Sequence, residues 1–533
     1  MKRLLVLFAL LVIFGSLLAP LGAPVQATTN TYTITVQVDQ TIRNISPLML
    51  GSNLPAWLGQ ARFEDQDFRR RARHSGIKYL RIPGGSWSNF YGWLSCERRT
   101  YQVGNAHPCG EDGWDISSWI ARPTDFINFL RAVNMKAIYV VNVNVSAQEA
   151  AALVAFFNGS VSDSRPIGID RYGQDWKTVG YWAQLRADHG NPEPFYIEYW
   201  EIGNEVYGAK PSRAGSECVP WGWEDAWTCD GYEYVHGDSN HDGFLTIRNA
   251  MKAVDPSILV GAVGIEDVTM YNEWGRKVLR EAGSAMDYYV IHPYPYGEPP
   301  TSWTEILAKP RQHWRDLRRT LNQAFQDYAA GRNIPIAANE FNLVYFHDLD
   351  YRRQMKTAGN MLFLAESIGQ AIRHGYFMFN QWNLSNGCSQ ATGSCYDLLL
   401  ADDHYTRTPQ YFAFPLWARF GSSMLQSSST APAYMLSVYA GRRTQKQFTV
   451  LVINKTGQPR QALIRLSRGR IATASADVVK ATSLNATTVT FNNLTNIPDN
   501  LATVPSLPVQ VVNGRARYTF PPYSITLLRL NTP

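Results

Sequence analysis

Eight short β-forming runs, each followed by a stretch of helical periodicity, constrain this chain more than any other feature of its 533 residues. The strand candidates are LMLGSNL (Leu48 to Leu54), IKYLRIPGG (Ile77 to Gly85), KAIYVVNVN (Lys136 to Asn144), FYIEYWEIGNE (Phe195 to Glu205), ILVGAVG (Ile258 to Gly264), MDYYVIHPY (Met286 to Tyr294), IPIAANEFN (Ile334 to Asn342) and YFMFNQWN (Tyr376 to Asn383). Between them SAQEAAALVAFF, GFLTIRNAMKAV, YNEWGRKVLREAG and YRRQMKTAGNMLFLAESIGQAIRHG read as helices. Strands apolar on both faces that alternate with helices predict the α/β class, as a closed (β/α)8 TIM barrel. An open doubly wound sheet is the alternative. It would show a glycine-rich phosphate turn after its first strand, and LGSNLPAWLG is not one.

Beyond about Pro409 the pattern changes to threonine, valine and serine runs such as QFTVLVINKT, TTVTFNNLT and YSITLLRL, which predict an accessory β-sandwich. TNTYTITVQVDQTIRNIS, ahead of the barrel, alternates in the same way and is expected to join that sandwich. The expected division is a leader over 1–27, N-terminal strands over 28–46, the catalytic barrel over 47–408 and the sandwich over 409–533. A composition of 45% hydrophobic and 18% charged residues suits two domains with large cores. The leader has two basic residues, an apolar run from Leu4 to about Ala19 and a small-residue Val25-Gln26-Ala27 ending, the pattern of a secretory signal peptide. An uncleaved anchor would use the same run, but Pro20, Pro24 and the VQA site favour cleavage. No later segment has the ~20 apolar residues of a spanning helix. The expected location is therefore secreted, extracellular or periplasmic, with no membrane association after cleavage.

Loss of Lys2 and Arg3 lowers the formal charge from +6 to +4, which argues against a nucleic-acid partner. FRRRARHSG, Phe68 to Gly76, is the one local basic cluster, and at a helix C-terminus it complements the dipole. Six cysteines fall in close pairs, Cys96 with Cys109, Cys218 with Cys229 and Cys388 with Cys395. Export favours disulfides; zinc ligation is the competitor, but no pair has the two-residue spacing of a zinc knuckle.

In such a barrel, chemistry belongs at the C-terminal ends of the strands. Those ends are polar here: Arg81 and PGGSWSN, Asn142 and Asn144, Asn204 and Glu205, His292 and Tyr294, Glu340 and Asn342, and Trp382. Two carboxylates on different strands of one cavity match what glycosidic cleavage requires, an acid for the leaving oxygen and a carboxylate for the oxocarbenium-like centre. Alternation along the fourth strand turns Tyr199, Glu201 and Gly203 to one face and Glu198 and Trp200 to the other. Glu205, at the exit, is placed for substrate, Glu201 is expected to ion-pair with Arg81 inside the barrel, and Glu198 lies near the helical layer or lower rim.

YWEIGNE followed far downstream by AANEFN, with LRIPGG before and HPYPYG between, resembles the retaining glycoside hydrolases of clan A, and within them the family 51 α-L-arabinofuranosidases. NVNVSAQEAAALVAFFNG and LRADHGNPEPFYIEYWEIGNEVYG extend the likeness across most of the barrel. The resemblance implies that Glu205 is the general acid/base, that Asn204 hydrogen-bonds the sugar hydroxyl next to the anomeric carbon, and that Glu340 is the nucleophile. Arg81 and Tyr294 would hold Glu340 ionised. The family shows Asp-Glu-Trp at the nucleophile where this chain has NEFN, and Asn after PGG where it has Ser86. The cysteine-bearing loops after strands two, four and eight look unlike those of the usual intracellular members, which suggests a reshaped cleft and a polymeric substrate.

Further substrate contacts are expected from Asn142, His292 and Tyr294, with Trp382 as the floor of the sugar site. Rim aromatics (Trp57, Trp87, Tyr91, Trp93, Trp221, Trp223, Trp227, Tyr296, Tyr345 and Phe346) favour an extended carbohydrate cleft. DSNHDG, Asp238 to Gly243, copies the first half of a calcium loop but has Asn249 at the twelfth position, and Asp242 reads instead as a helix cap. Asn-x-Ser/Thr sequons include Asn44, Asn454, Asn485 and Asn493. The expectation is an exported retaining glycosidase for plant-type polysaccharide or oligosaccharide, most of all an α-L-arabinofuranosidase, with no organic cofactor and no catalytic metal. A clan A endo-β-glycanase or β-glycosidase and a non-catalytic carbohydrate-binding barrel are the alternatives.

Overall fold

The computed structural model describes residues 31–110, 116–402 and 404–533. The leader, 1–27, lies outside them.

Eight parallel strands close into a barrel: β2 (Gly51–Asn53), β3 (Tyr79–Ile82), β4 (Lys136–Val141), β5 (Tyr199–Ile202), β6 (Leu259–Val263), β7 (Tyr288–Ile291), β8 (Ile336–Phe341) and β9 (Met378–Gln381). Each pairs with the next, and β9 returns to β2 through Gly51 with Asn380 and Ser52 with Gln381. All eight fall inside the runs read from the sequence. Alternation sorts their side chains. Tyr79, Ile138, Tyr199, Tyr288, Val290, Ala337 and Met378 fill the lower barrel with Leu48. Leu80, Ile82, Tyr139, Val141, Trp200 and Ile202 face outward into the large core under the helices. Glu198 stands half-buried just before β5, beside Tyr79 and Tyr199 at the lower end.

The helices form where caps and apolar faces coincide. Ser146 caps the helix Ala147–Asn158 by accepting from Glu149 N, and ten of its residues, mostly alanine, leucine, valine and phenylalanine, are buried. In the helix Trp303–Tyr328, capped by Ser302, Trp314 packs its ring 5.5 Å from Phe341, 4.7 Å from Phe379 and 5.4 Å from Tyr376, pinning the helix to β8 and β9.

The second unit combines β1 (Tyr32–Asn44) with β10 (Ser423–Ser429), β11 (Leu436–Thr444), β12 (Gln447–Asn454), β13 (Arg460–Leu466), β14 (Thr473–Lys480), β15 (Thr490–Phe491), β16 (Leu507–Val512), β17 (Arg515–Phe520) and β18 (Ser524–Asn531). β1 lies between β10, antiparallel, and β13, parallel. The sheet returns on itself through β14 and β18, so nine strands surround a core of residues such as Ile34, Val36, Val450, Ile464 and Leu528, with β15 attached at the edge of β14. The helix Ala358–His374 joins the two units. Its Gly369 leaves room for the Tyr439 ring, and its Glu366 faces Lys455 of the sandwich at 3.5 Å.

All six cysteines form disulfides, Cys96–Cys109, Cys218–Cys229 and Cys388–Cys395, which removes the zinc alternative. They close loops that follow β3, β5 and β9. Among the described residues no helix is long and apolar enough to cross a membrane. Asp242 does not cap the helix that follows it. Gly243 holds the N-cap position of Phe244–Val254 without a side-chain bond, while Asp242 reaches across to accept from Ala147 N at 2.9 Å. Asp238 turns back on its own loop, accepting from Asn240 N and His241 N. The Asn454 amide is buried and donates to three carbonyls, which closes that sequon to a glycan in the folded protein.

Trp314→Ala removes the ring that three aromatics share and is expected to cost about 3–5 kcal/mol of stability. Urea denaturation followed by fluorescence measures it.

Candidate active site

Above the apolar floor, Arg81 stands fully buried on the inward face of β3. Its Nε donates to Glu201 Oε2 at 2.9 Å, Nη1 to Asn53 Oδ1 at 3.1 Å and to Glu340 Oε2 at 3.2 Å, and Nη2 to Asn204 Oδ1 at 2.8 Å. A guanidinium presents its donors in a fixed plane, so one side chain sets the relative positions of three strand exits. The second oxygen of Glu201 accepts from Asn339 Nδ2, which completes its pairing below the cavity.

Glu340 owes its aim to an irregularity in β8. Ala338 pairs with Phe379, but Phe341 pairs with Gln381, so β8 spends one more residue than β9 over this step. The bulge lets consecutive residues Asn339 and Glu340 both turn inward while Phe341 returns to the helical side against Trp314. Tyr294 OH, beyond the end of β7, donates to Glu340 Oε1 at 2.8 Å.

Glu205 leaves β5 in the left-handed region, with φ 42° and ψ 36°. Such a conformation costs about 1–3 kcal/mol and persists where neighbours over-determine it. The neighbours are His292, whose Nδ1 lies 2.8 Å from Glu205 Oε1, and Trp223, whose Nε1 donates to Oε2 at 2.7 Å. His292 Nδ1 is also 3.9 Å from Glu340 Oε2. One donor or acceptor atom from each of Glu205, His292 and Glu340 falls within 4.8 Å of the others. That spacing would admit a metal ion, but the Arg81 guanidinium against Glu340 already supplies the positive charge. The arrangement is suited to moving protons.

The charges are coupled. Burial pushes Glu205 up, but the hydrogen bond and charge of His292, the Trp223 donor and Arg81 together bring it below the ordinary carboxylate range. Burial raises Glu340, and the Glu205 charge adds to this; His292, Arg81 and Tyr294 oppose it, leaving it above that range. Burial lowers His292, but the facing Glu340 and Glu205 carboxylates outweigh it and hold the imidazole above 6.5. His292 Nδ1 lies between the two carboxylates, 2.8 Å from Glu205 Oε1 and 3.9 Å from Glu340 Oε2.

Of the other residues expected at the site, Trp382 packs over Gly85, where a Cβ would lie 2.6 Å from its ring. Asn142 turns its Oδ1 to Asn144 N at 2.9 Å, and its buried Nδ2 meets no partner among the described residues. Trp57 lies 6.1 Å from Trp382 and 5.1 Å from Trp87, which is 5.8 Å from Trp119, nearly half exposed; aromatic rings thus run from Trp382 to the surface.

Sequence reasoning passed over Glu224. It is fully buried, burial and the Glu205 charge push it up to about 8, and it accepts from Ser86, Asn89 and Asn204. The available signal was an acidic pair, Glu224-Asp225, set among tryptophans between two cysteines. Glu266, beyond β6, is a further carboxyl raised by burial, close to both His292 and Glu205.

A closed (β/α)8 barrel with two carboxylates across its C-terminal mouth is the arrangement of the clan A glycoside hydrolases, and the chain is similar to that class. More particularly, the model of the α-L-arabinofuranosidase 1 domain matches residues 74–298. The intracellular exo-α-(1→5)-L-arabinofuranosidase 1 of Bacillus subtilis is 26% identical over 295 residues, 53% of this chain and 50% of that protein. The chain thus spans about half the length of this curated relative. The probable α-L-arabinofuranosidase C of Aspergillus niger is 22% identical over 497 residues, 87% of each chain. In fold, the thermostable family 51 α-L-arabinofuranosidase from Thermotoga petrophila superposes with a TM-score of 0.68 at 19% identity, covering 94% of this chain and 100% of that one.

Arg81→Met leaves Glu201 buried without its cation and is expected to cost about 3–5 kcal/mol. Thermal unfolding at neutral pH measures the loss.

Proposed function

We propose that the protein is an exported retaining glycoside hydrolase that releases α-L-arabinofuranosyl groups from plant-type polysaccharides or oligosaccharides. The observation that carries this reading is the pair of carboxylates whose oxygens approach within 4.8 Å. Retaining glycosidases hold theirs about 5–5.5 Å apart, whereas inverting enzymes need about 6.5–9.5 Å to admit a water. The arabinofuranoside class rests on the similarity to the α-L-arabinofuranosidase 1 domain. Export rests on three disulfides, which persist in oxidising compartments. The tryptophans leading from Trp382 to Trp119 favour a chain longer than one sugar.

In this mechanism the substrate meets the site with Glu205 protonated through His292 and Glu340 ionised between Arg81 and Tyr294. A Glu340 oxygen attacks the anomeric carbon. The glycosidic C–O bond breaks, its electron pair stays on the leaving oxygen, and that oxygen takes the proton from Glu205. Asn204 donates to the hydroxyl next to the anomeric carbon, and Trp382 carries the apolar face of the ring. Esterification removes the charge on Glu340. Glu205, now a carboxylate, accepts a proton from water as the water oxygen bonds to the anomeric carbon; the ester C–O bond breaks and returns its electron pair to Glu340.

Glu340→Ala is expected to abolish turnover while leaving binding. Glu205→Ala should lower kcat on natural linkages by about 100- to 10,000-fold yet spare aryl glycosides with good leaving groups. A panel of aryl glycosides and plant polysaccharides, with product stereochemistry followed by NMR, tests the reading. Inverted product, or activity confined to internal β-linkages, would replace it.

The pH dependence follows from His292. Its proton, held above 6.5, is lost as pH rises through the raised value, after which the His292–Glu205 pair has none to give. The alkaline limb of kcat/KM is expected above 6.5, and His292→Asn, which removes the chief opponent of burial at Glu205, should raise Glu205 and leave the limb set by that carboxyl alone.

A further inference from the structure

We propose that Glu224 is a positioning residue that fixes the Asn204 amide for the substrate hydroxyl, an inference that rests on the glycosidase reading above. Asn204 Oδ1 accepts from Arg81 Nη2 at 2.8 Å, and Asn204 Nδ2 donates to Glu224 Oε1 at 2.9 Å. The two anchors set both the rotamer and the sense of the amide, and leave its second hydrogen for a sugar. The Asn204 backbone is held by the same group of residues. Its N–H donates to Asn89 Oδ1 at 3.0 Å, its carbonyl accepts from Asn89 Nδ2 at 2.7 Å, and that Nδ2 also donates to Glu224 Oε2 at 2.6 Å. Ser86 Oγ completes the cluster at 2.7 Å from Glu224 Oε1.

Glu224 is itself firmly placed. The backbone N–H groups of Trp223 and Glu224 both donate to Gly208 O, and Lys210 N donates to Glu224 O. The next residue, Asp225, pairs with Lys210 at 2.6 Å and Arg213 at 3.1 Å, and Cys218–Cys229 closes the loop around them. The preceding Trp223 holds Glu205. A single dipeptide therefore governs both functional groups at the exit of β5, Trp223 the acid and Glu224 the amide beside it. A purely structural carboxylate would serve the loop alone. The direct bond from Glu224 to Asn204 ties it to substrate instead.

The test uses the full chain and whichever aryl glycoside it hydrolyses, comparing Glu224→Ala, Glu224→Gln, Asn204→Ala and the Asn204→Ala/Glu224→Ala double variant. Glu224→Ala is expected to lower kcat/KM by about 100-fold, mostly in kcat, because a misplaced contact is felt in the transition state. Gln keeps an oxygen for Asn204 and Ser86 and gives up the Asn89 contact, so Glu224→Gln should recover most of the loss. Once Asn204 is gone, removing Glu224 should cost no more than about twofold further. Additive losses in the double variant, Glu224→Gln as impaired as Glu224→Ala, or Glu224→Ala at wild-type kcat/KM would overturn the proposal. Should Glu224→Ala fail to fold, Glu224→Asp, which shortens the reach to Asn204, is judged by the same criteria. A working enzyme indifferent to these changes overturns only this role, whereas an unaltered protein that turns over no glycoside overturns the glycosidase reading with it.

Discussion

Everything at the mouth of the barrel depends on one buried cation. Arg81 has no exposed surface and spends its guanidinium on Glu201, Asn53, Glu340 and Asn204, residues of β5, β2 and β8 and of the turn that follows β5. A charge so far from water is tolerable only when its donors are met by partners of opposite charge or strong dipole. The pairing with Glu201 supplies that, and leaves the opposite edge of the guanidinium to face Glu340 at 3.2 Å. Glu201 is thus the fully buried counter-ion, and Glu340 the one at the edge of the cavity.

The two carboxylates that face each other reach the cavity by departures from regular strand geometry. At Glu340 the departure is an extra residue in β8; at Glu205 it is a left-handed backbone, held by His292 and Trp223. Regular alternation would have sent one of Asn339 and Glu340 to the helical side. The barrel therefore supplies rigid spacing, while local irregularity supplies the aim, at a cost of a few kcal/mol that the buried core absorbs.

That division explains what could be read from the sequence. The eight strands were legible because each is a short apolar run between polar turns, and Glu205 and Glu340 were legible because Asn-Glu recurs at two strand exits. The Arg81–Glu201 pair followed from period-two alternation. The bulge in β8 was not legible, since AANEFN has the same composition with or without it. Nor was Glu224, because its partners Ser86, Asn89 and Asn204 lie 138, 135 and 20 residues away, and nothing local marks a carboxyl as buried. Asp242 serves a helix other than the one that follows it for a related reason: its partner is a distant first-turn N–H, that of Ala147, which only the fold brings near.

The loops after the strands then divide the remaining work. Those following β3, β5 and β9 each carry a disulfide. By loop length each crosslink removes roughly 2.5–3 kcal/mol of closure entropy from the unfolded chain, and it acts locally as well. In the loop after β5 it closes a segment whose Trp223 and Glu224 contact Glu205 and the neighbouring Asn204 amide. Positions that must hold to within a fraction of an ångström for chemistry are thereby set by strand spacing below and by a closed loop above.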